Sequence, residues 1–353
     1  MTGSEGPAPD ADSAPAPVVR EARPADADAV AAFTRDTWGE RHDDYIPRVF
    51  PDWAESDDPK RGTFVATLPP EAADPAGLDD REPGDTHVEG EGDGAADAGD
   101  PEAVVGCIQG VLLSEWEAWG QGIRVDPAAR GHGVGTALSR AALDWARERG
   151  ATVCRNMVFS WNVMGLGQSR AVGFEPETEF RFAEPEPDAD AVDDGDVGFD
   201  ALDDPDPDAA WAFWNDSDAR DHLRGLALDP DESWACSQLT RERLATAAAE
   251  DRLLAVADAD AFAGFAVRTR VTEREVDGET TRTATYGIAA WRDVDAAGAL
   301  FDAVAADAAA ADADGARALI PESVEHVSDA AANRVSVAAE PDFVMCADLT
   351  GGP

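Results

Sequence analysis

Residues 122–150 read GIRVDPAARGHGVGTALSRAALDWARERG, and this stretch decides the fold. It begins as a strand that carries the apolar residues Ile123 and Val125. Pro127 ends the strand because it has no N–H to give to a neighbouring strand. From Val134 onward, apolar residues recur at the spacing of one helix face. The stretch therefore predicts a strand, a loop rich in glycine and an amphipathic helix, in that order.

The loop between this strand and this helix is suited to binding a phosphate group. The first N–H groups of a helix have no partner inside it and carry the positive end of its dipole. Glycine lets an anion approach these groups without a Cβ in the way, and an arginine adds positive charge. A loop that only turns the chain is the structural alternative. We expect a pyrophosphate to bind at Arg130, Gly131, His132, Gly133, Val134, Gly135 and Thr136.

Two common nucleotide-binding motifs do not fit this loop. A P-loop requires Gly-Lys followed by Ser or Thr, but the only lysine in the chain is Lys60. A dinucleotide-binding loop requires glycine or alanine at its third conserved position. That position is Thr136 or Leu138 here, depending on which glycine is counted first.

The loop instead resembles the acyl-CoA signature of the GNAT N-acetyltransferases, which is Arg or Gln, two residues, Gly, one residue, then Gly or Ala. Here the signature positions are Arg130, Gly133 and Gly135. The resemblance covers about residues 17–183. It implies the GNAT fold, an α/β fold in which helices flank a mixed sheet, and acetyl-CoA as cosubstrate.

The chain of 353 residues carries a net charge of −45, and arginine almost wholly replaces lysine. This charge argues against a nucleic acid or an anionic membrane as partner. The acidic residues are spread along the whole chain, so we interpret them as a haloarchaeal-type adaptation to a high-salt cytoplasm. Molar salt screens charge repulsion over about 3 Å. An acidic interaction protein is the alternative.

Cysteine and histidine usage indicates neither a disulfide framework nor a metal site. The four cysteines and five histidines are scattered along the chain and form no close pairs. No apolar run is long enough to span a membrane, and no stretch has the pattern of a signal peptide. We expect a soluble, cytoplasmic protein without a metal.

The length predicts two domains of ordinary size. The patterns predict a disordered N-terminus at residues 1–16, a GNAT domain at 17–185 with an acidic insertion at 69–102, an acidic linker at 186–208 and a second domain at 209–353. The first domain is expected to follow the order β-α-α-β-β-β-α-β-α-β, which is the order of the GNAT fold.

The second domain is expected to repeat this outline without the glycine loop. After Trp291 the chain runs through Arg292-Asp293-Val294-Asp295 directly into a predicted helix. Acidic residues at that point would repel a pyrophosphate. We therefore interpret this domain as a degenerate GNAT repeat that has lost acyl-CoA binding. A lid or a dimerisation domain of another fold is the alternative.

The resemblance implies that an amine attacks the thioester of acetyl-CoA directly, in a ternary complex. This reaction needs positioning, a base for the ammonium proton and stabilisation of the oxyanion and thiolate. Backbone groups around Ile123 and Val125 are expected to hold the pantetheine arm and the thioester oxygen. Glu115 and Glu117 are candidates for the base, and Glu117 is preferred because it shares the side-chain parity of Ile123.

Two further site residues follow from the family pattern. Ser169 occupies the position that usually carries a tyrosine acid for the CoA thiolate, and a serine hydroxyl is shorter and a weaker acid. Asn162 precedes the next helix and is expected either to contact the cofactor or to fix the turn. Because of Ser169, we keep a second hypothesis, a non-catalytic acyl-CoA-binding sensor or scaffold.

The acceptor is expected to be a primary amine of a small molecule, an amino acid or a peptide. Several tryptophans and Tyr45 suggest an aromatic pocket ringed by carboxylates, which would suit a cation. Asp44-Tyr45, Trp53 and the strand from Trp119 to Val125 also resemble a tandem GNAT group that includes vertebrate histidine N-acetyltransferase. A homodimer is one assembly that the sequence allows.

Overall fold

The computed structural model describes residues 16–35, 37, 44–69, 103–191, 198–259, 261–276 and 279–351. Most of the predicted disordered N-terminus and of the acidic insertion lies outside the described residues. Trp38, the predicted end of the first helix, and residues 192–197 of the predicted linker lie outside them as well.

The chain forms two compact units. Unit 1 contains the chain up to Cys154 together with the segment from Leu349, and unit 2 contains Arg155–Asp348. This division differs from the predicted boundary, an acidic linker at 186–208. The reason is that the strand just after Cys154 and the strand Glu175–Glu184 lie in one sheet with strands of the second half of the chain.

Unit 1 is an antiparallel sheet with three helices. Its strands, in spatial order, are β1 (Val18–Glu21), β2 (Arg61–Leu68), β3 (Ala103–Leu112) and β4 (Glu117–Val125). Its helices are α1 (Ala27–Thr34), α2 (Ile46–Glu55) and α3 (Val134–Glu148). The strands and α3 agree with the predicted elements to within a few residues, whereas α1 ends before the predicted Trp38.

Strand glycines let α3 lie close to the sheet. A Cβ on Gly62 would lie 2.5 Å from the Trp145 ring, and one on Gly110 would lie 2.9 Å from it. A Cβ on Gly106 would lie 2.9 Å from Leu138. Trp145 and Leu138 are buried in these contacts. The glycines of β2 and β3 therefore set the height of α3 above the sheet and so position its N-terminus.

A second apolar cluster joins α1 and α2 to the sheet through Val30, Phe33, Ile46, Phe50, Val65 and Cys107.

Unit 2 contains most of the remaining elements. Its strands are β5 (Val153–Phe159, which begins in unit 1), β6 (Glu175–Glu184), β7 (Asp200–Ala201), β8 (Leu226–Leu228), β9 (Cys236–Gln238), β10 (Leu253–Ala257), β11 (Phe262–Val276), β12 (Glu279–Trp291), β13 (Gly315–Pro321), β14 (Ser336–Val337) and β15 (Asp342–Asp348). Its helices are α4 (Val163–Ala171), α5 (Pro207–Asp216), α6 (Asp218–His222), α7 (Arg241–Ala249), α8 (Val294–Ala310) and α9 (Val324–Ala332).

The main strands of unit 2 follow the spatial order β5-β15-β6-β13-β12-β11-β10-β7, and β8 pairs with β9 separately. Strand β12 runs parallel to β13, but only over Thr283–Tyr286 and Gly315–Ala318. Beyond these residues the two strands are not paired with each other.

The predicted order of elements is confirmed, and it occurs twice along the chain. β1, α1, α2, β2, β3, β4, α3, β5, α4 and β6 give the order once. β7, α5, α7, β10, β11, β12, α8, β13, α9 and β15 give it again, with short elements inserted. The predicted fold class, a mixed sheet flanked by helices, is therefore confirmed.

Two parts of unit 2 differ from the sequence prediction. The sequence pattern predicts helical segments through residues 209–228, but β8 lies at the end of that range. A three-residue apolar run cannot be told from helix by periodicity. α9 was not predicted, although Ser323 is a typical N-cap and accepts a hydrogen bond from the His326 N–H at 3.2 Å.

Within the described ranges, no helix is both long enough and apolar enough to cross a membrane.

Candidate active site

The glycine loop joins the end of β4 to the start of α3. Asp126 accepts a hydrogen bond from the Ala128 N–H at 3.0 Å and begins a 3-10 turn at Pro127–Ala129. Gly131 and Gly133 follow with φ of +85° and +75°, a region that glycine adopts without strain. A Cβ on either glycine would meet nothing within 4 Å. The loop therefore requires glycine for its backbone, and the space in front of it is open.

The N-terminus of α3 is available to an anion. Gly133 is its N-cap, and no side chain in the described part of the chain accepts a hydrogen bond from this end. The N–H groups of Val134–Thr136, the first helical residues, have no partner inside the helix. Arg130 is exposed in the loop, and its carbonyl oxygen lies 3.1 Å from His132 Nδ1. Unpaired N–H groups, the helix dipole and a guanidinium thus meet at one point.

Strand β4 contains a bulge close to the loop. The pairing with β3 shifts between Cys107 and Gln109, so that Gly122 and Ile123 together oppose the single residue Ile108. Gly122 has a φ of +66°. A bulge of this kind leaves backbone groups without ladder partners and re-aims the side chains that follow it.

An ion pair and two aromatic rings cover this bulge. Arg124 donates to the Asp44 carboxylate through Nε at 2.6 Å and through Nη2 at 3.0 Å, and both side chains are almost fully buried. The guanidinium carbon lies 5.6 Å from the centroid of the Tyr45 ring, and that ring meets Trp53 edge-on at 6.3 Å. A Cβ on Gly122 would lie 2.7 Å from Trp53. The buried pair therefore fixes the segment before α2 to the bulge of β4.

Asp44 and the strand that contains Arg124 both belong to the resemblance to the tandem GNAT group, which implies no role for Arg124. The two residues are 80 positions apart, so neither helical nor strand periodicity could join them. The usable signal was the arginine itself, since a charged residue between the apolar strand residues Ile123 and Val125 needs a buried partner.

Glu117, the predicted base, lies at the other end of β4. Its backbone N–H donates to Ser114 Oγ at 3.1 Å, and that hydroxyl donates to Glu117 Oε2 at 3.2 Å. Eight residues of strand put about 25 Å between Glu117 and Val125. The bulge also ends the side-chain parity between Glu117 and Ile123 that favoured this assignment. The placement argues against a direct role, because the proton must leave an amine close to the thioester.

The other two predicted residues, Ser169 and Asn162, lie in unit 2 on α4. Ser169 is buried, and its hydroxyl oxygen accepts a hydrogen bond from Asn156 Nδ2 at 3.1 Å. Asn162 is the N-cap of α4, and its Oδ1 accepts from the Gly165 N–H at 2.9 Å. The turn-fixing interaction considered for Asn162 is therefore present.

Two other kinds of catalytic group, a reactive thiol and a bound metal ion, find no support among the described residues. Burial raises the pKa of the Cys107 thiol to about 12, although Arg124 opposes the shift. The thiol is therefore protonated at neutral pH and is a poor nucleophile. Within the described ranges, no group of three or more His, Cys, Asp or Glu side chains is arranged to hold a metal ion.

The matching helix of the second half has an occupied N-terminus. α8 begins at Val294, and its N-cap is Asp293, whose Oδ1 accepts from the Ala296 N–H at 3.0 Å. This hydrogen bond lowers the pKa of the Asp293 carboxyl, and Arg292 adds to the effect. The chain thus supplies its own anion at the point where α3 has glycine.

These features agree with the comparison with known families. Residues 28–163 match the model of the acetyltransferase (GNAT) family. The chain contains a GNAT acetyltransferase domain. The family predicted from the loop is therefore confirmed for residues 28–163, which match a family of acyltransferases. No curated protein matches the sequence.

Two solved structures match the GNAT chain over nearly its whole length. One is a GCN5-related N-acetyltransferase from Sphaerobacter thermophilus, with a TM-score of 0.55 and 15% identity over 96% of this chain and 97% of the other. The second is a tandem GNAT protein from the clavulanic acid biosynthesis pathway, with a TM-score of 0.51 and 13% identity over 96% of this chain and 100% of the other. At these identities the likeness concerns the fold, and it confirms the tandem GNAT architecture.

The contact between Gly122 and Trp53 predicts how the bulge responds to substitution. Gly122→Ala should lower the free energy of unfolding by about 3 kcal/mol, because it adds a positive-φ penalty and displaces a packed indole. Gly131→Ala is the matched control, since that glycine also has positive φ but faces open space. It should cost only about 1 kcal/mol. Equal losses in urea unfolding of the two variants would contradict the packing described here.

Proposed function

We propose that this chain is an N-acetyltransferase that transfers the acetyl group of acetyl-CoA to a primary amine by direct attack in a ternary complex. The observation that carries the proposal is the open, glycine-capped N-terminus of α3. Its free N–H groups and Arg130 would bind the pyrophosphate of the cosubstrate. The open space in front of Gly131 and Gly133 leaves room for that group.

The local charge supports the same proposal. Residues 127–143 contain no Asp or Glu, although 73 of the 353 residues in the chain are acidic. A bound pyrophosphate would be repelled by carboxylates at this point, so a loop without them is what acyl-CoA binding requires. In the second half, Asp293 occupies the equivalent helix end. We therefore propose one acetyl-CoA site per chain.

The bulge of β4 would hold the reacting end of the cosubstrate. Backbone groups freed at Gly122 and Ile123 are available to the pantetheine arm and to the thioester oxygen, together with those at Val125. An N–H group aimed at that oxygen would stabilise the negative charge that develops when the amine attacks. Because these are backbone groups, the assignment depends on the geometry of the strand and not on a particular side chain.

The aromatic rings beside the bulge are the proposed acceptor contacts. Tyr45 is 36% exposed and Trp53 is half-buried, so both rings can meet a ligand. A small amine in its ammonium form would be attracted to their faces. Asp44 and Arg124 neutralise each other, and their role is to hold Tyr45 in place. We propose a small molecule or an amino acid as the acceptor.

The CoA thiolate is proposed to leave with help from a hydrogen bond of Ser169 or Asn162, or from water. Ser169 keeps its hydroxyl proton free to donate, because its oxygen accepts from Asn156, and Asn162 keeps its side-chain N–H groups. Neither is as acidic as a phenol. The buried position of Ser169 favours keeping the rival function, a non-catalytic acyl-CoA-binding sensor. Turnover distinguishes the two, because only an enzyme consumes acetyl-CoA when an amine is added.

Calorimetric titration with acetyl-CoA in molar KCl tests the proposed site. The wild type should bind with a stoichiometry near one. Gly133→Asp should abolish binding, because its carboxylate would cap α3 as Asp293 caps α8 and would repel the pyrophosphate.

Gly198→Asp is the matched control for this titration. Gly198 also has positive φ, at +74°, and also faces open space, but it lies far along the chain from the loop. The control should bind as the wild type does. Absence of binding by the folded wild type, or a stoichiometry near two, would contradict the proposal.

We further propose that the chain is adapted to high salt, given its net charge of −45. Charges of one sign destabilise a compact state unless counterions screen them. The free energy of unfolding should rise by a few kcal/mol between about 0.2 and 2 M KCl. Urea unfolding at each salt concentration measures this, with sucrose of equal osmolality as control. An equal rise in sucrose would contradict an electrostatic origin.

A further inference from the structure

A pocket of about 480 Å³ lies in unit 2, and none of its lining residues is among those assigned above to acetyl transfer. It is lined by residues of α5 and α6, the first residue of β11, the end of β12 and the first turn of α9. Its volume falls in the range of pockets that bind small molecules. It lies at the carboxyl end of β12, beyond the residues that pair with β13.

Aromatic rings form one part of the wall. Phe213 and Phe262 both line the pocket, with their ring centroids 5.5 Å apart. Trp291 lines it as well and is packed against Phe301 at 5.3 Å. These contacts hold the rings in place, so that a ligand would meet a prepared aromatic surface.

His326 adds a polar side chain to the lining of the pocket. It lines the pocket, is 5% exposed and lies 4.9 Å from the Trp291 ring. Its Nδ1 is 2.8 Å from Ser323 Oγ, whereas its Nε2 has no hydrogen-bond partner among the described residues. Burial, first of all, lowers the pKa of His326 to about 4, so that the ring is neutral at pH 7. A polar atom of the lining that has no protein partner favours a ligand that supplies one.

The rim of the pocket is negatively charged. Asp216, Asp218 and Glu325 line it and are exposed, and none of them takes part in an ion pair within the described ranges. The one arginine of the lining, Arg292, is held at 2.9 Å by both Asp258 and Asp293. Its positive charge is therefore already compensated, and the field in the pocket is that of the three carboxylates.

The position of Asp216 is unfavourable unless a cation is present. Asp216 is the last residue of α5, where the helix dipole presents its negative end. Asp218 and Glu325 lie in the first turns of their helices. The positive end of the helix dipole stabilises a carboxylate there, which accounts for these two acidic residues without a ligand. The dipole of α5 does not favour Asp216 in this way, and a bound cation would relieve the repulsion.

We propose that this pocket is a second small-molecule site, which binds an organic ammonium compound with an apolar or aromatic body. The aromatic wall would take the body of the ligand through stacking and cation–π contacts, and Asp216 and Glu325 would pair with its ammonium group. Acyl-CoA does not fit, because the three carboxylates and Asp293 would repel its phosphates. The site is independent of the proposed acetyl transfer.

Calorimetric titration of the full chain with 2-phenylethylamine tests this proposal. It should bind with a Kd of about 1 mM, which is ordinary for so small a ligand. Phenylacetate, which has a similar body but the opposite charge, should bind at least tenfold more weakly. Asp216→Asn should weaken the binding of the amine at least threefold, and His326→Gln should weaken it as well.

Asp221→Asn is the matched control, because Asp221 is an exposed aspartate in the neighbouring helix α6 and does not line the pocket. It should leave the Kd unchanged. The proposal is overturned if the amine does not bind, if phenylacetate binds equally well, or if Asp216→Asn has no larger effect than Asp221→Asn. The last outcome would place the amine elsewhere, for example at Tyr45 and Trp53.

Discussion

The unpaired N–H groups at the start of a helix need an electron-rich partner, and the two halves of this chain meet that need in opposite ways. In α3, Gly133 provides no side chain and leaves the helix end open to an external anion. In α8, Asp293 provides a carboxylate and closes the same end from within. Under the proposed function, the residue type at the N-cap decides whether this helix end is open to acyl-CoA. The fold is repeated, whereas the binding function is proposed for only one copy.

The open end of α3 can bind an anion only if the helix is held in a fixed position. Glycines in the strands contribute to this, because they allow close packing. Gly62 and Gly110 let the Trp145 ring rest directly on β2 and β3, which fixes the position of α3. Gly122 allows the bulge in β4 and the close approach of Trp53. The buried pair of Asp44 and Arg124 then ties the segment before α2 to this bulge. Phosphate loop, bulge and aromatic rings are therefore parts of one packed arrangement.

Much of this arrangement could be predicted from the sequence, because its signals are local. The strand, loop and helix around Arg130, Gly133 and Gly135 follow from spacing and from the special backbone needs of glycine. The bulge could not be predicted, since it depends on the register with β3, and it invalidated the parity argument for Glu117. The pocket around His326 depends on residues from five elements and also leaves no local signal.

Hydrogen exchange at the amides of the two helix N-termini, with and without acetyl-CoA in molar KCl, tests the central claim most directly. Saturating acetyl-CoA should slow exchange of the Val134–Thr136 amides, because the pyrophosphate would accept their hydrogen bonds. Exchange at the start of α8 should not change, because Asp293 already occupies that end. Unchanged exchange at Val134–Thr136 in a chain that binds acetyl-CoA, or slowed exchange at α8, would contradict the account.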